Sequence, residues 1–433
     1  MITKPKGTYD IYGELGRKYK YVDNAIDMLM KNYNYDYMRT PIFESSDLFH
    51  RGVGETTDIV TKETYDFKDR GDRNMTLRPE GTAGIVRSYI ENKMYGDAVQ
   101  PIKVYYNGTM YRYERPQSGR DRELTQFGVE VLGCDDPYID AEVISIPVNL
   151  FKLLGLKEVK VNINSLGDQE SRNNYREALI KHFEPHINEL CEDCQERFKK
   201  NPLRILDCKV DGDKDIIKNA PKTIDYLNEE SKKRFDDVKK YLTLMEVDYV
   251  VDTKIVRGLD YYNHTVFEIE AKVDGFGSNN VLAGGGRYNG LAEQLDGPHT
   301  PGIGFALGMS RLVMALDLEK VELPVEKSID AYIMYVSDSE KEYAINLCQY
   351  LRMNGYSVEM ENMNRSLKAQ FKQADRLNSK YLIILNDKDL ERDVINIKDN
   401  KTKEENEVGI DYLLYFFEEK LSLERLDEIE GDV

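Results

Sequence analysis

The sequence predicts an α/β (α+β) chain: a large antiparallel-sheet domain interrupted by a helical insertion, then a smaller α/β domain. Three observations carry this. Ile102–Tyr113 and Glu123–Leu132 read as an antiparallel pair joined by the polar loop Glu114–Arg122, which holds Pro116, Ser118 and Gly119. From Glu170 to Leu244 the texture changes to highly charged helical segments without the alternation of the flanks. After the linker Glu319–Lys327, which carries Pro324, strand and helix alternate as in a mainly parallel α/β unit. The limits that follow are 1–325 with 170–248 inserted, 328–420, and an acidic, frayed tail at 421–433. A chain of 433 residues is long enough for each part to bury its own core.

Along the first part, residues 17–34 place Tyr21, Val22, Ile26, Leu29 and Tyr33 at helical spacing. Strand-like pieces follow at Met38–Glu44, Glu63–Lys68 and Asn74–Leu77, and Pro79-Glu-Gly-Thr82 opens a helix over Ala83–Asn92. Asp140–Leu154 reads as a helix and Lys157–Asn164 as a strand; strands resume at Tyr249. Gly302–Leu307 is strand-like and leads into a helix from Met309. In the last part, Ile329–Val336, Tyr356–Met360 and Tyr381–Leu385 read as strands, with Glu340–Met353 and Ser366–Leu377 as the helices between them. The second of these helices sets Lys368, Lys372 and Arg376 on one stripe.

The net charge of −18 argues against nucleic-acid binding by the whole-molecule field and leaves room only for a local basic face. The N-terminal segment lacks the apolar core of a signal peptide, and no run is apolar enough for a membrane span, so a cytoplasmic protein is expected. Five cysteines fit a reducing compartment better than a disulfide framework.

Chemistry concentrates in a few places. Arg257-Gly-Leu-Asp-Tyr-Tyr262 puts a guanidinium, a carboxylate and two phenols together at the start of a strand, suited to a small ligand bearing a carboxylate or phosphate. The strand's period of two puts Tyr261 and Tyr262 on opposite faces, with Tyr261 as support. No Gly-x-x-x-x-Gly-Lys-Ser/Thr loop is present, and Gly302–Gly308 misses dinucleotide spacing by one residue. Instead arginines stand at strand and loop positions: Arg112, Arg115, Arg120, Arg122 and Arg311. On a strand, Arg112 and Glu114 share a face, offering a cation to phosphate and a carboxylate to an adenine amino group; the bland alternative is a surface ion pair.

With these residues in view, the chain resembles the histidyl-tRNA synthetases, class II aminoacyl-tRNA synthetases of bacterial type. The three class motifs match a helix plus Arg39–Glu44, Tyr111-Arg-Tyr-Glu-Arg115 with its loop, and Gly302–Arg311. Arg257–Tyr262, Ala283-Gly-Gly-Gly-Arg-Tyr288 and Leu77–Thr82 match the family's own signatures, and the likeness spans residues 4 to 420. The resemblance implies activation of L-histidine by ATP with Mg2+, then transfer to tRNA(His), by a homodimer that meets its second copy around Arg39–Glu44. It implies ATP contacts at Arg112, Glu114 and Arg311. It implies a histidine site of Glu80, Gly81, Thr82, Arg112, Gln126, Glu130, Arg257, Tyr261 and Tyr262, with Arg112 and Arg257 as the catalytic cations and no protein-bound metal. Glu130 and Tyr262 would hold the two imidazole nitrogens, and Gly284–Gly286 would let backbone approach the substrate. The domain after Pro324 resembles an anticodon-binding domain.

Four positions depart from the family. Asp121, Glu123 and Leu124 replace Tyr, Gln and Phe, and Ser310 replaces a Glu that ligates magnesium; the lost aromatic and added carboxylates predict weaker ATP binding. Cys191-x-x-Cys194, with Cys208, His182 and His186, has the residue types of a zinc site but reads as reduced structural thiols. The competing function is a synthetase-like regulatory subunit of ATP phosphoribosyltransferase, which binds histidine without charging tRNA. It is disfavoured because Arg112, Arg257, Arg311 and the C-terminal domain are all present.

Overall fold

A computed structural model describes residues 1–53, 60, 62–116, 119–206, 208, 210–255, 261–276 and 280–430, with side chains up to 421. The chain divides into two compact units, Met1–Leu323 and Pro324–Val433.

The first unit opens with the helix Gly13–Tyr33, whose stripe Val22, Ile26 and Met30 is buried and which stops at Asn34 in the left-handed conformation. Strands β1 (Asp36–Tyr37) and β2 (Phe43–Ser45) follow. Most of the predicted strand Met38–Glu44 is therefore loop. Pro41 has no N–H to give, and the Thr40 carbonyl accepts from the Arg78 guanidinium at 3.0 Å instead of from a neighbouring strand. Strands β3 (Tyr65–Lys68) and β4 (Asn74–Leu77) join β2 in a small antiparallel sheet, and the helix Thr82–Glu91 follows.

The main sheet uses β5 (Ile102–Tyr111), β6 (Glu123–Leu132), β7 (Val159–Ser165), β8 (Val250–Val251), β9 (Asn263–Ala271), β10 (Val281–Arg287) and β11 (Gly302–Gly308). Its order is β1-β5-β6-β11-β10-β9-β7-β8, antiparallel throughout except at the two edges, where β1 and β8 run parallel to their neighbours. Alternation along β6 sorts its side chains. Phe127, Val129 and Val131 enter a core shared with the helices Gly13–Tyr33, Pro137–Leu153 and Met309–Leu318. Gln126, Gly128 and Glu130 take the other face, beside Tyr106, Tyr262 and Tyr288.

One buried ion pair ties the sheet to the helix Pro137–Leu153. Arg287 Nε and Nη2 reach Asp140 Oδ1 at 2.7 and 2.5 Å, Thr265 donates to Asp140 Oδ2 at 2.7 Å, and both charged side chains are fully buried.

The insertion differs from its predicted extent. Helices Gln169–Phe183 and Glu192–Lys200 pack into a small core of their own around Leu179, Phe183, Cys194, Ile205 and Ile217. The last helix, Glu229–Leu244, instead sends Phe235, Val238 and Leu242 into the main core. Charge on its outer face disguised that apolar stripe.

The second unit holds a sheet of order β13-β12-β14-β15-β16, from β12 (Ile329–Met334), β13 (Val358–Met360), β14 (Ser379–Ile384), β15 (Val394–Asp399) and β16 (Glu405–Gly409). Only the first three are parallel; β15 and β16 add an antiparallel hairpin that the sequence reading missed. Their short, polar segments lack a continuous apolar run. Lys368, Lys372 and Arg376 lie exposed on the helix Leu367–Arg376, with Gln370 and Ala374 buried behind them. The final helix runs Leu413–Glu430, so the backbone of the acidic tail is helical as far as residue 430, and residues 431–433 lie outside the described residues. Among the described residues no helix is long and apolar enough to cross a membrane.

Candidate active site

The polar face of β6 builds the site. Glu130 is fully buried, accepting from the Thr82 hydroxyl at 2.6 Å on Oε1 and from the Tyr288 hydroxyl at 2.5 Å on Oε2. Its carboxylate fits because the residue opposite it on β11 is Gly304: any Cβ there would collide with Glu130 Oε2. Burial pushes the Glu130 carboxyl up to about 8, opposed by its two hydroxyl partners and reinforced by the nearby Glu80 carboxylate. Such a buried acid, poised near neutrality in a polar cluster, marks a ligand-binding site.

Glu80 sits at the mouth of the helix Thr82–Glu91, where its two oxygens accept from the Thr82 and Ala83 N–H groups at 2.7 and 2.8 Å. Gln126, two turns of the pleat from Glu130, leaves its buried amide oxygen without a hydrogen-bond partner among the described residues. That open acceptor is available to a ligand N–H.

Tyr261 departs from its predicted place. Strand β9 begins only at Asn263, and the register against β10 slips between Gly286 and Arg287, so the two-residue period does not extend back to Tyr261. The rings of Tyr261 and Tyr262 lie 4.7 Å apart in the same cluster, and Tyr261 faces Thr82, Glu80 and Glu130. Both phenols therefore belong to the site's side of the sheet. Tyr288, which ends the Ala283–Tyr288 signature, received no role from the sequence, yet it holds Glu130 directly. The two residues are 158 positions apart, and only the β6-β11-β10 ladder brings them together.

Gly285 and Gly286 serve contacts within the protein. A Cβ on Gly285 would strike the backbone of Gly304 and Phe305, and one on Gly286 would lie 2.6 Å from the Thr265 carbonyl and 3.0 Å from the Tyr262 ring. At these two of the three glycines Gly284–Gly286, the close approach expected for substrate is taken by neighbouring strands.

A cationic group borders this pocket. β5 ends at Tyr111, so Arg112 and Glu114 sit in the following loop rather than on one strand face. They still approach to 3.9 Å, and Glu114 also meets Arg120 at 3.5 Å. Arg112 Nε donates to the Pro79 carbonyl at 2.8 Å, which anchors it to the turn carrying Glu80 and Gly81. Arg311 is fixed by the Gly119 and Val281 carbonyls, both at 2.8 Å. Burial and the charges of Arg120 and Arg112 lower its pKa, while Glu114 and Asp121 counter them. Asp121 is itself buried, hydrogen-bonded to the Tyr9 hydroxyl and close to Arg311, and Ser310 is hydrogen-bonded to Tyr19. The added acid is thus folded into the arginine cluster rather than hanging in the loop. Glu123 is exposed on β6, and Leu124 packs part-buried at the edge of the tyrosine cluster. Arg257 and residues 258–260 lie outside the described residues, as do residues 117 and 118.

With this geometry in place, comparison with known proteins is decisive. A family profile described as histidyl-tRNA synthetase matches residues 7–312. The chain belongs to the histidyl-tRNA synthetase family. A second profile, described as an anticodon binding domain, matches residues 330–420. A histidine–tRNA ligase of Bacillus cytotoxicus is 53% identical over 420 residues, covering 97% of this chain and 99% of that protein. One of Staphylococcus haemolyticus is 51% identical over 421 residues, covering 97% and 100%. The crystal structure of apo S. aureus histidyl-tRNA synthetase matches with a TM-score of 0.84 at 46% identity, covering 96% of this chain and 100% of that one. In this family's terms, the large antiparallel sheet is the class II fold, and the site described above occupies its polar face.

Proposed function

We propose that this chain is a histidine–tRNA ligase: it joins L-histidine to ATP as histidyl-adenylate with release of pyrophosphate, then transfers histidine to the 3′ end of tRNA(His). The observation that carries the reading is Glu130, a buried acid held at both oxygens inside a cage of Tyr106, Tyr261, Tyr262 and Tyr288. An imidazole presents one polar nitrogen at each end of a flat ring, and Glu130 with Tyr262 supplies a polar partner for each. A site built on paired hydrogen bonds rejects an isostere lacking them by roughly 10⁴–10⁵.

The α-amino group would be met by Gln126, whose amide oxygen is open, with Glu80 and Thr82 beside it. Gly81 leaves room there for the Tyr106 ring, which any Cβ would strike. The carboxylate of histidine then attacks the α-phosphorus in line: its oxygen forms the new P–O bond as the bond to pyrophosphate breaks. Two anions must approach, so fixed cations lower the barrier by positioning and charge neutralisation. Arg112, tied to Pro79, lies between the histidine pocket and Glu114, the proposed adenine reader, while Arg311 takes the far phosphate. Mg2+ enters with ATP as part of the substrate. The carboxylate absent at Ser310 is replaced nearby by Asp121, which with Glu114 keeps hard oxygen donors beside Arg311. Asp121→Asn should therefore raise the ATP KM about tenfold, the loss of one charged hydrogen-bonding group; an improved KM would make the acid a burden, as its sequence position suggested.

Arg257 is proposed to stand at the α-phosphate as a permanent charge. Arg257→Lys should depress pyrophosphate exchange far more than it weakens histidine binding, read by calorimetric titration, and equal losses would reduce it to a binding residue. The overall test is ATP–pyrophosphate exchange with each amino acid, followed by charging of unfractionated tRNA. Absence of histidine-dependent exchange would sink the ligase reading; exchange without charging would point to a defective loop at Gly119–Leu124. A second copy of the chain is the proposed partner of the apolar surface around Ile42, Phe43 and Phe67, which are exposed with the two phenylalanine rings 6.3 Å apart. The protein is proposed to act in the cytoplasm, where its tRNA is.

A further inference from the structure

Outside the catalytic sheet, the inserted helical segment brings four ligand-type side chains to one point. The ligand atoms of Cys191, Cys194, Cys208 and Asp211 all lie within 4.8 Å of one another, three of the four residues buried. We propose that they form a tetrahedral site for a thiophilic divalent cation, zinc in the first instance, that fastens this segment.

The chain makes the same turn twice. Cys191 and Cys194 are spaced x-x, and so are Cys208 and Asp211. In the first turn the Gln195 N–H returns to the Cys191 carbonyl at 3.0 Å; in the second the Gly212 N–H returns to the Cys208 carbonyl at 2.8 Å. Each leading sulfur also accepts from its own turn: Cys191 from the Cys194 N–H, and Cys208 from the Asp211 N–H at 3.4 Å. Backbone N–H groups aimed at sulfur stabilise thiolate over thiol and fix the ligand's direction. Two such turns facing each other supply the four corners of a tetrahedron.

The spacing matches the cation. A Zn–S bond of about 2.3 Å sets sulfur atoms about 3.8 Å apart across a tetrahedron. Cys191 Sγ and Cys208 Sγ stand 3.7 Å apart, and Cys208 Sγ is 4.0 Å from Asp211 Oδ2. Three soft sulfurs select zinc over magnesium or calcium. The carboxylate is already oriented from behind: Asp211 Oδ1 pairs with Lys214 Nζ at 2.8 Å, and Oδ2 accepts from the Cys191 N–H at 2.8 Å. Binding releases the thiol protons to solvent, with no change of oxidation state. The histidines that sequence proximity offered as ligands are engaged elsewhere. His182 Nε2 contacts the Ile216 carbonyl at 2.8 Å and His186 pairs with Glu189 at 2.9 Å.

The neighbourhood gives the site a structural task. Cys194 and Cys208 belong to a small core with Leu179, Phe183, Ile205 and Ile217, few residues for a segment this charged. Small cores of that kind are commonly completed by a metal.

The test is elemental analysis of the full chain, purified with reductant and without chelator, together with Co2+ reconstitution followed by absorption. One zinc per chain is expected, and cobalt should give thiolate-to-metal charge transfer with tetrahedral d–d bands. Cys208→Ser should lose the metal, Asp211→Asn should weaken it at least tenfold, and His182→Ala should leave it in place. Should Cys208→Ser fail to fold, the cobalt spectrum of the unaltered protein and its change in Asp211→Asn decide the matter. Substoichiometric zinc with no cobalt charge transfer, metal that survives Cys208→Ser, or a Cys191–Cys208 disulfide in metal-free protein would each overturn the proposal.

Discussion

Glu130→Gln is expected to lower kcat/KM for histidine in pyrophosphate exchange by about 10–10²-fold, while the ATP KM stays within about threefold of its starting value. The amide keeps the volume, and the Thr82 and Tyr288 hydroxyls can each turn to donate or accept, so the fold should persist. What is lost is a carboxylate acceptor for the imidazole N–H, charged once the bound ligand displaces its proton and then worth about 1.5–3 kcal/mol, and the selectivity that rests on it. A loss confined to ATP would place the substrate elsewhere.

The same residue gives the protein a pH signature. Its folded pKa, about 8, lies above the ordinary 4.5, so between those values the native state holds a proton that the unfolded chain has released. Its contribution to stability is therefore fully present below pH 4.5 and lost as pH rises through 8. His264 acts in the opposite sense: burial, with Arg234 nearby, lowers it from 6.5 to about 4, so its contribution is lost as pH falls through that range. Above pH 6.5 only the Glu130 slope of these two remains. The thermal midpoint should fall between pH 6.5 and 8 in the native protein and flatten in Glu130→Gln. Parallel curves would place the titration on another group.

Asp140→Ala is expected to cost the N-terminal unit about 3–5 kcal/mol, read as a shift of its urea midpoint. The substitution leaves Arg287, fully buried, with the Cys134 and Asp136 carbonyls, Asn289 Oδ1 at 3.4 Å and the more exposed Asp135 carboxylate at 3.5 Å, and removes the acceptor of Thr265. The double replacement Asp140→Leu with Arg287→Met should recover most of the loss, because it removes both charges at similar volume. A single-variant loss below about 1 kcal/mol would mean that water reaches the pair.

Legibility in the sequence followed the range of the interactions. The β5–β6 hairpin, the alternation of Gln126, Gly128 and Glu130, and the arginines of the loop are local patterns and were readable as such. The hydroxyl of Tyr288 on Glu130 depends on strand order, and the position of Tyr261 depends on a register slip; neither has a local signal. Asp211 was invisible as a ligand because a lone carboxylate becomes one only when its turn faces another. The helix Glu229–Leu244 misled in the other direction, since its exposed charges outnumber the three apolar residues that seat it in the core.

The two ends of the inserted segment touch. Asn228 donates to Asp168 at 2.7 Å through its side chain and to Ser171 Oγ at 3.0 Å through its backbone, at the point where the chain leaves β7 and returns to it. Between these ends the stretch meets the sheet again where Thr223 donates to Asn164 of β7 at 3.1 Å and Ile224 packs against the main core. Because the cost of closing a loop grows only slowly with its length, the sheet is indifferent to how much further chain hangs from those ends. The stretch is built as a cassette, and an engineer could exchange it at the same two residues provided that the Thr223 bond to Asn164 and the packing of Ile224 are kept.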